Sequence, residues 1–246
     1  MYTRICYLAL LLSSFGSMAA DQPVSTALSA NQLAVIVNEE DPLSQQIADY
    51  YQKQRHIPEE NMIRVHFKPG QGTISLSDFR RLYVSVVDKT PESIQAYALT
   101  WAWPYRVECM SITSAFATGF NRKYCAVKPK NVPCGETALS PYFSSRSTTP
   151  FKDHGIRPTM AIAAGSFEQA KALIDRGVAS DGSFPKGSAY LLDTSDINRS
   201  VRARHFPVIK AVFDERLPVN VLKQNVLKNK DDVLFYFTGL KRVEGL

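Results

Sequence analysis

Trp103, Tyr105 and Arg106 are the strongest candidates for a functional cluster in this sequence. They follow the apolar segment 96–101, and neither a helix cap nor a turn motif accounts for them locally. An arginine beside two aromatic rings could contribute to a binding cleft. Plain packing combined with a surface ion pair is the alternative, and the residue types by themselves leave both interpretations open.

Polar residues also follow other apolar segments of strand length. In an open α/β sheet, ligands bind at the carboxyl ends of the strands, so these residues are expected to share one edge of the sheet. The further candidates for ligand binding are Asn38, Glu39, Asp193, Asp196 and Thr238. Such residues equally cap helices and form turns, and for Asp193 a cap is the simpler interpretation.

One pair of residues could support covalent catalysis. Cys109 and His154 would form a dyad in which the imidazole promotes formation of the thiolate. His154 lies in a polar segment rather than after an apolar strand, which weakens the case for a dyad. A buried and inert thiol is the ordinary alternative for Cys109.

Motifs of the common enzyme classes are absent from the sequence. It has no GxSxG elbow, phosphate loop, GxGxxG fingerprint or HExxH helix. The 4 histidines are far apart in the chain, and none has the spacing of a metal ligand. We therefore expect neither a metal site nor a cofactor.

The N-terminus has the three parts of a signal peptide. Arg4 supplies a positive charge, residues 5–12 are apolar, and Ser17 and Ala19 satisfy the rule for small residues before a cleavage site. The apolar run is shorter than the roughly 20 residues that cross a bilayer. We predict a cleaved signal peptide over 1–20 and a periplasmic or secreted mature protein. An uncleaved N-terminal anchor is the alternative.

The cysteines and the predicted export together favour a disulfide. Cys109, Cys125 and Cys134 remain after cleavage, and an oxidising compartment favours disulfide formation. Cys125 and Cys134 flank a short proline-containing loop, whose closure contributes roughly 2–3 kcal/mol in the chain-entropy model. We predict this pair, which leaves Cys109 as a buried or reactive thiol.

The composition is that of an ordinary globular protein. Apolar residues make up 45% of the chain and charged residues 21%, which excludes disorder as a description of the whole chain. The net charge of +6 is modest, and the basic residues are scattered rather than arranged in a stripe. We therefore predict no nucleic-acid partner and, after signal cleavage, no membrane span. The predicted export is compatible with a component of the cell envelope.

Short apolar segments alternate with amphipathic segments along the chain. Helices are predicted to begin after Asp41, Ser75 and Ser166, and a further helix is predicted over 198–216. The alternation predicts a single α/β domain over 21–246, in which a mainly parallel sheet lies between helical layers. The predicted strands are 33–37, 61–67, 96–101, 158–163, 188–192 and 232–237.

Two segments depart from this alternation. Residues 120–157 have no clear periodicity and are predicted to form an irregular insertion held by the disulfide. The segment after the last predicted strand, from Thr238 to Leu246, contains no helix that could cover that strand. We therefore expect a domain that is incomplete at its C-terminus. A natural end with this strand at the edge of the sheet is the alternative.

Several segments resemble a family of exported bacterial proteins with a sporadic distribution across phyla. Members are typically longer, which agrees with the expected incompleteness of the domain. The family has no established activity, so the resemblance implies export and little about chemistry. The segments that carry it are 33–65 (LAVIVNEEDPLSQQIADYYQKQRHIPEENMIRV), 100–120 (TWAWPYRVECMSITSAFATGF), 190–196 (YLLDTSD) and 234–240 (LFYFTGL).

A more distant resemblance is to the caspase-like fold of gingipain-type secreted cysteine peptidases. It lies in the strand–helix units and in the last strand, which runs into Thr238-Gly239. In those peptidases the corresponding strand ends in a Thr-Gly-His-Gly type of sequence, and a cysteine follows the next strand. Leu240 stands at the place of the histidine here, so the resemblance implies a degenerate relative. The expected fold is a three-layer α/β sandwich with a mainly parallel sheet, of caspase-like or flavodoxin-like type.

The function that these observations favour is that of an exported envelope or binding module without catalysis. The alternative is a secreted cysteine-peptidase-like hydrolase of the caspase or gingipain type, active or degenerate. A third interpretation is a non-functional fragment of a longer protein. A hydrolase needs a nucleophile and a base, and the pair that the sequence offers is Cys109 with His154. The state of Cys109 therefore separates the first two hypotheses.

Overall fold

A computed structural model describes residues 28–125 and 137–243 of the chain. The chain divides into two compact units, the first ending at Ile174 and the second beginning at Asp175. Both contain a parallel sheet with helices packed against it, which confirms the predicted α/β class. The predicted signal peptide over 1–20 and Cys134 lie outside the described residues.

The first unit contains a main sheet, a small three-stranded sheet and the longer helices. Its helices are α1 Pro42–Arg55, α2 Leu76–Lys89, α3 Ile112–Thr118, α4 Pro150–His154 and α5 Phe167–Ala179, the last of which runs into the second unit. Its strands are β1 Leu33–Asn38, β2 Met62–Val65, β3 Thr73–Ile74, β4 Ala96–Leu99, β5 Arg106–Val107, β6 Met110–Ser111 and β7 Thr159–Ala161.

The main sheet of the first unit is parallel, with the strand order β2-β1-β4-β7. Successive side chains of a strand point to opposite faces of its sheet, and β1 follows this rule. Ala34 and Ile36 pack in one apolar cluster with α2 and α3, whereas Val35 and Val37 pack in another with α1. Helices therefore cover both faces of this sheet, as the three-layer prediction requires.

Aromatic rings fill the larger of these two clusters. Phe116 of α3 lies edge-on to Phe79 of α2, with ring centroids 5.3 Å apart, and to Trp101, with centroids 6.2 Å apart. All three side chains are almost completely buried. Burial of such rings is the main driving force for folding, at roughly 25 cal/mol per Å² of apolar surface. The loop that follows β4 is therefore anchored through Trp101 in the centre of the first unit.

Short polar motifs determine where the long helices begin. The Asp41 carboxylate accepts a hydrogen bond from the backbone N–H of Leu43 at 3.0 Å, and Pro42 occupies the first helical position of α1. The Ser75 hydroxyl accepts one from the N–H of Asp78 at 3.1 Å and caps α2 in the same way. These caps confirm the helix starts predicted from the sequence.

The second unit contains β8 Ser188–Asp193, α6 Phe206–Phe213, β9 Val219–Lys223 and β10 Val233–Phe237. Its strands form a parallel sheet in the order β10-β8-β9, so β10 lies at an edge. Helix α6 packs against β9, and its Phe206 joins Ala189 and Leu191 of β8 in a small buried cluster. The predicted helix over 198–216 is too long, and β9 is a strand that the sequence analysis did not predict.

The disulfide differs from the predicted one. Cys125 is bonded to Cys109, with Cα atoms 5.7 Å apart and a sequence separation of 16. Cys109 lies in the turn between β5 and β6, and α3 returns the chain so that Cys125 reaches it. The predicted Cys125–Cys134 pair is therefore wrong, because the partner of Cys125 is Cys109. That prediction rested on loop length alone, whereas the path of the chain around α3 decides which sulfurs meet.

Within the described ranges, no helix is both long enough and apolar enough to cross a membrane.

Candidate functional site

A cavity of about 270 Å³ lies at the carboxyl ends of the strands of the main sheet in the first unit. This is the place where open parallel sheets bind ligands. We call it the strand-end cavity. It is lined by Asp41, Leu43, Ile47, Pro69, Gly70, Thr100, Trp101, Ala102, Trp103, Ala164 and Gly165.

A network of buried hydroxyl groups lies behind this cavity. The hydroxyls of Ser44 in α1 and Thr100 after β4 are 2.7 Å apart, and Thr100 Oγ1 donates to the carbonyl of Ile36 at 3.1 Å. The backbone N–H of Asn38 donates to Ser44 Oγ at 3.0 Å. Because buried polar groups need partners, this network fixes the start of α1 to the ends of β1 and β4. Ser44 and Thr100 belong to no sequence motif that would predict this role.

Asn38 serves this framework rather than a ligand. Its side chain is fully buried, its Nδ2 donates to the carbonyl of Phe67 at 2.9 Å, and its Oδ1 accepts from the Phe67 N–H at 3.2 Å. The amide thus pairs with the backbone of the segment after β2 as a neighbouring strand would. The neighbouring Glu39 faces that segment too, with its carboxylate 3.0 Å from His66 Nε2 and 3.7 Å from an Arg64 nitrogen.

Trp103 and Tyr105 form an exposed aromatic pair beside the strand-end cavity, which we call the aromatic face. They are 51% and 49% exposed, although their rings are in edge-to-face contact with centroids 5.0 Å apart. Gly72 lies directly against both rings, because a Cβ atom added there would be 3.1 Å from Tyr105 Cε1 and 3.3 Å from Trp103 Cζ3. The Tyr105 N–H also donates to the carbonyl of Gly72 at 3.2 Å. The rings are therefore held in place while half of their surface remains exposed.

Arg106 extends the aromatic face with a positive charge. Its guanidinium carbon lies 5.9 Å from the centre of the Tyr105 ring, within the range of a cation–π contact. Its Nε and Nη2 both donate to the Thr73 hydroxyl at 3.3 Å. The structure thus brings together the three residues that the sequence analysis placed first.

Trp101 lines the strand-end cavity, although its side chain is almost completely buried. Its Nε1 has no hydrogen-bond partner in the part of the chain that the structure describes. A buried donor without a partner costs about 1–3 kcal/mol. The sequence predicts Trp101 only as a strand residue.

The remaining ligand-binding candidates belong to the second unit. Asp196 accepts hydrogen bonds from the side chain and the N–H of Arg199, at 2.6 and 3.1 Å, and the first of these mainly lowers the pKa of its carboxyl. Thr238 Oγ1 accepts from the N–H of Leu240 at 3.1 Å. Asp196 and Thr238 therefore have local turn contacts, whereas Asp193 is the last residue of β8, in register with Lys223 of β9.

The two catalytic candidates do not form a dyad. Cys109 is in a disulfide and therefore has no thiolate to offer. His154 Nε2 lies 2.8 Å from the hydroxyl of Ser145 instead, and its ring is edge-on to Tyr142 with centroids 6.0 Å apart. The Ser145 oxygen also accepts from the N–H of Ser147 at 3.1 Å, as in an ordinary serine turn. These contacts stabilise the loop before α4.

The described residues contain no group of three or more His, Cys, Asp or Glu side chains that could hold a metal ion.

A second cavity, of about 490 Å³, lies between β2 and α2. We call it the basic groove, since five basic side chains line it: Arg64, His66, Lys68, Arg81 and Lys89. The prediction of scattered basic residues does not include this surface. A signal was present, because the first three alternate with apolar residues along one extended segment, and the last two lie eight positions apart on one helix.

No protein-family model, curated protein or solved structure matches this chain. The resemblances to exported bacterial proteins and to the caspase-like fold therefore stay predictions.

Proposed function

We propose that this chain is an exported, non-catalytic binding protein whose ligand lies on the aromatic face beside the strand-end cavity. The observation that carries this proposal is the half-exposed Trp103–Tyr105 pair, held against Gly72 and flanked by Arg106. Rigid aromatic side chains give a large contact area and lose little conformational entropy on binding. Large exposed rings in a fixed position are therefore typical of a binding surface.

The state of Cys109 supports binding over peptidase activity. A cysteine peptidase needs a thiolate next to a base, and the sulfur of Cys109 is engaged with Cys125. The disulfide also supports export, because such bonds persist in oxidising compartments. For the described residues, the geometry thus favours the first of the hypotheses drawn from the sequence.

The export part of the proposal is tested by fractionation of the producing cell. We expect the protein in the periplasm or the medium, with an N-terminus at Ala20 or Asp21 when the intact mass is measured. A cytoplasmic protein that retains residues 1–20 would contradict export.

The binding part is tested with a panel of defined soluble oligosaccharides and peptides, by calorimetry and by tryptophan fluorescence. Trp103→Ala is expected to weaken binding of the recognised probe by about tenfold or more, as for other aromatic binding residues. Phe143→Ala is the matched control, because it removes a ring that is 67% exposed at another place. Equal loss in both variants, no dependence of any probe on Trp103, or turnover of the bound probe would contradict a non-catalytic site at the aromatic face.

A further inference from the structure

The basic groove contains positive charge that no carboxylate of the described residues neutralises. Lys89 Nζ donates to the carbonyl of Arg64 at 3.0 Å, which uses one of its three N–H groups. Among residues 28–125 and 137–243, no carboxylate lies within ion-pair distance of Lys68 or Lys89. Two ammonium groups in one cavity attract an anionic group, because they are not neutralised by the protein.

The other cations of the groove are already paired with carboxylates. Arg64 lies 3.3 Å from Glu59 and 3.7 Å from Glu39, and Arg81 is paired with Asp78. A nucleic-acid strand, with a negative charge at every phosphate, needs more unpaired cations than these two lysines supply. A ligand with many hydroxyls and few acidic groups could use both the donors and the acceptors. The mixture of charges therefore favours an acidic saccharide over a nucleic acid.

The basic groove and the aromatic face meet at one segment of the chain. Gln71 and Thr73 line the groove, and Gly72 between them lies against both rings of the aromatic face. Pro104, which separates the two aromatic residues in sequence, also lines the groove. Because they share these residues, the two surfaces are adjacent.

We infer that the basic groove and the aromatic face together bind an acidic oligosaccharide. Its sugar rings lie on the aromatic face, and its carboxylate or sulfate group lies beside Lys68 and Lys89. The groove volume of about 490 Å³ is within the range of roughly 300–1,000 Å³ usual for small-molecule sites. The inference rests on the proposed function and specifies its ligand class.

The test is a calorimetric titration of the full chain with four probes. They are a galacturonate tetramer, a sulfated galactose tetramer, a neutral galactose tetramer and a deoxythymidine oligonucleotide. We expect one of the two acidic tetramers to bind at least about tenfold more tightly than the neutral one, and which of them does so identifies the acidic group. Lys68→Gln combined with Lys89→Gln should remove that preference. Lys53→Gln combined with Lys152→Gln removes the same charge from exposed positions outside the groove and should preserve it.

The single variant Lys68→Gln guards against a structural effect of losing the Lys89 hydrogen bond, and it should reduce the preference by itself. Equal affinity for acidic and neutral tetramers, no binding of either acidic tetramer, an unchanged preference in the groove variants, or tighter binding of the oligonucleotide overturns the inference. The proposed function fails separately, when no probe of any charge depends on Trp103. Binding that depends on Trp103 but not on ligand charge refutes the inference alone.

Discussion

The two parallel sheets of this protein are both built from apolar strands, but these strands are buried to different extents. In the first unit, β4 is buried at every position and β1 at all but its first. In the second unit, β8 is buried over most of its length, but β10 alternates between exposed and half-buried residues. Its Phe235 and Phe237 are stacked with centroids 6.5 Å apart and are about half exposed, at 50% and 53%.

The two units are stabilised by different kinds of contact. The main sheet of the first unit is held by apolar packing on both faces, and its strand-end loops are therefore a rigid support for the aromatic face. The second unit has one small buried cluster around Phe206, and its edge strand is attached by polar bonds. Asp232, just before β10, accepts hydrogen bonds from the hydroxyls of Ser188 and Tyr190, each at 2.6 Å. We expect the second unit to open more readily than the first.

The largest effect on stability is expected from a substitution that removes a buried ring from the core of the first unit. Phe116→Ala removes a ring that is 1% exposed and should destabilise the first unit by about 3–5 kcal/mol. Phe235→Ala is the matched change on β10 and should cost the second unit less than about 1 kcal/mol, since half of its ring is already exposed. Hydrogen exchange read out by mass spectrometry resolves both units in one experiment. Comparable losses in both would refute the contrast in packing.

A somewhat smaller effect is expected from the disulfide of the first unit. Cys109→Ser should destabilise the folded chain by about 3 kcal/mol, because the bond closes a loop of 16 residues in the unfolded state. Cys134→Ser is the matched control and should leave the Cys109–Cys125 bond intact. Peptide mapping without reduction measures the pairing, and denaturant unfolding measures the stability. A fragment that joins Cys125 to Cys134 would show the structure's pairing to be wrong.

The polar attachment of β10 predicts an acid-sensitive second unit. The hydrogen bonds from Ser188 and then Tyr190 lower the pKa of the Asp232 carboxyl, so the folded state holds its proton less tightly than the unfolded state. The stabilisation is therefore present above the ordinary aspartate value of about 4 and is lost as the pH falls through the lowered pKa.

Asp232→Asn should remove this pH dependence from the exchange rates of β8 and β10 while leaving β1 and β4 unchanged. Asp231→Asn is the control at the neighbouring position. Acid opening that is identical in wild type and Asp232→Asn would exclude the carboxylate as its cause.

At alkaline pH the sign of the effect is reversed, because the hydrogen bond to Asp232 raises the pKa of the Tyr190 phenol. The neutral phenol stabilises the second unit fully below the pKa that Tyr190 has in the unfolded chain. This contribution is lost as the pH rises through the raised pKa of the folded state.

The smallest effect on stability is expected at the aromatic face. Gly72→Ala places a Cβ atom within 3.1–3.3 Å of both rings, which must then shift by a few tenths of an ångström. We expect a stability change below about 1 kcal/mol, together with a shift in tryptophan emission and weaker ligand binding. Gly165→Ala is a control for the stability change alone, because its nearest contact is 3.4 Å away, from a flexible glutamine, but Gly165 lines the strand-end cavity. Unchanged emission and affinity would show that Gly72 does not position the rings.

The sequence predicts residues of the candidate site only where no helix cap, turn or strand pattern accounts for them. Trp103, Tyr105 and Arg106 stood out for that reason, and the structure brings them together. Asn38 was selected by the same strand-end rule, yet its buried amide pairs with the backbone of Phe67. The basic groove was missed because its side chains come from a strand segment and a helix that are adjacent only after folding.

By itself, the sequence determined the local elements of this protein. Apolar runs and caps such as Asp41-Pro42 act within a few residues, and they specify β1, α1, α2 and β8 without reference to the rest of the chain. The tertiary structure alone decided the strand orders, the Cys109–Cys125 pairing and the basic groove. Those features depend on which distant segments pack against each other. That choice follows from the burial of whole faces, which no short segment encodes.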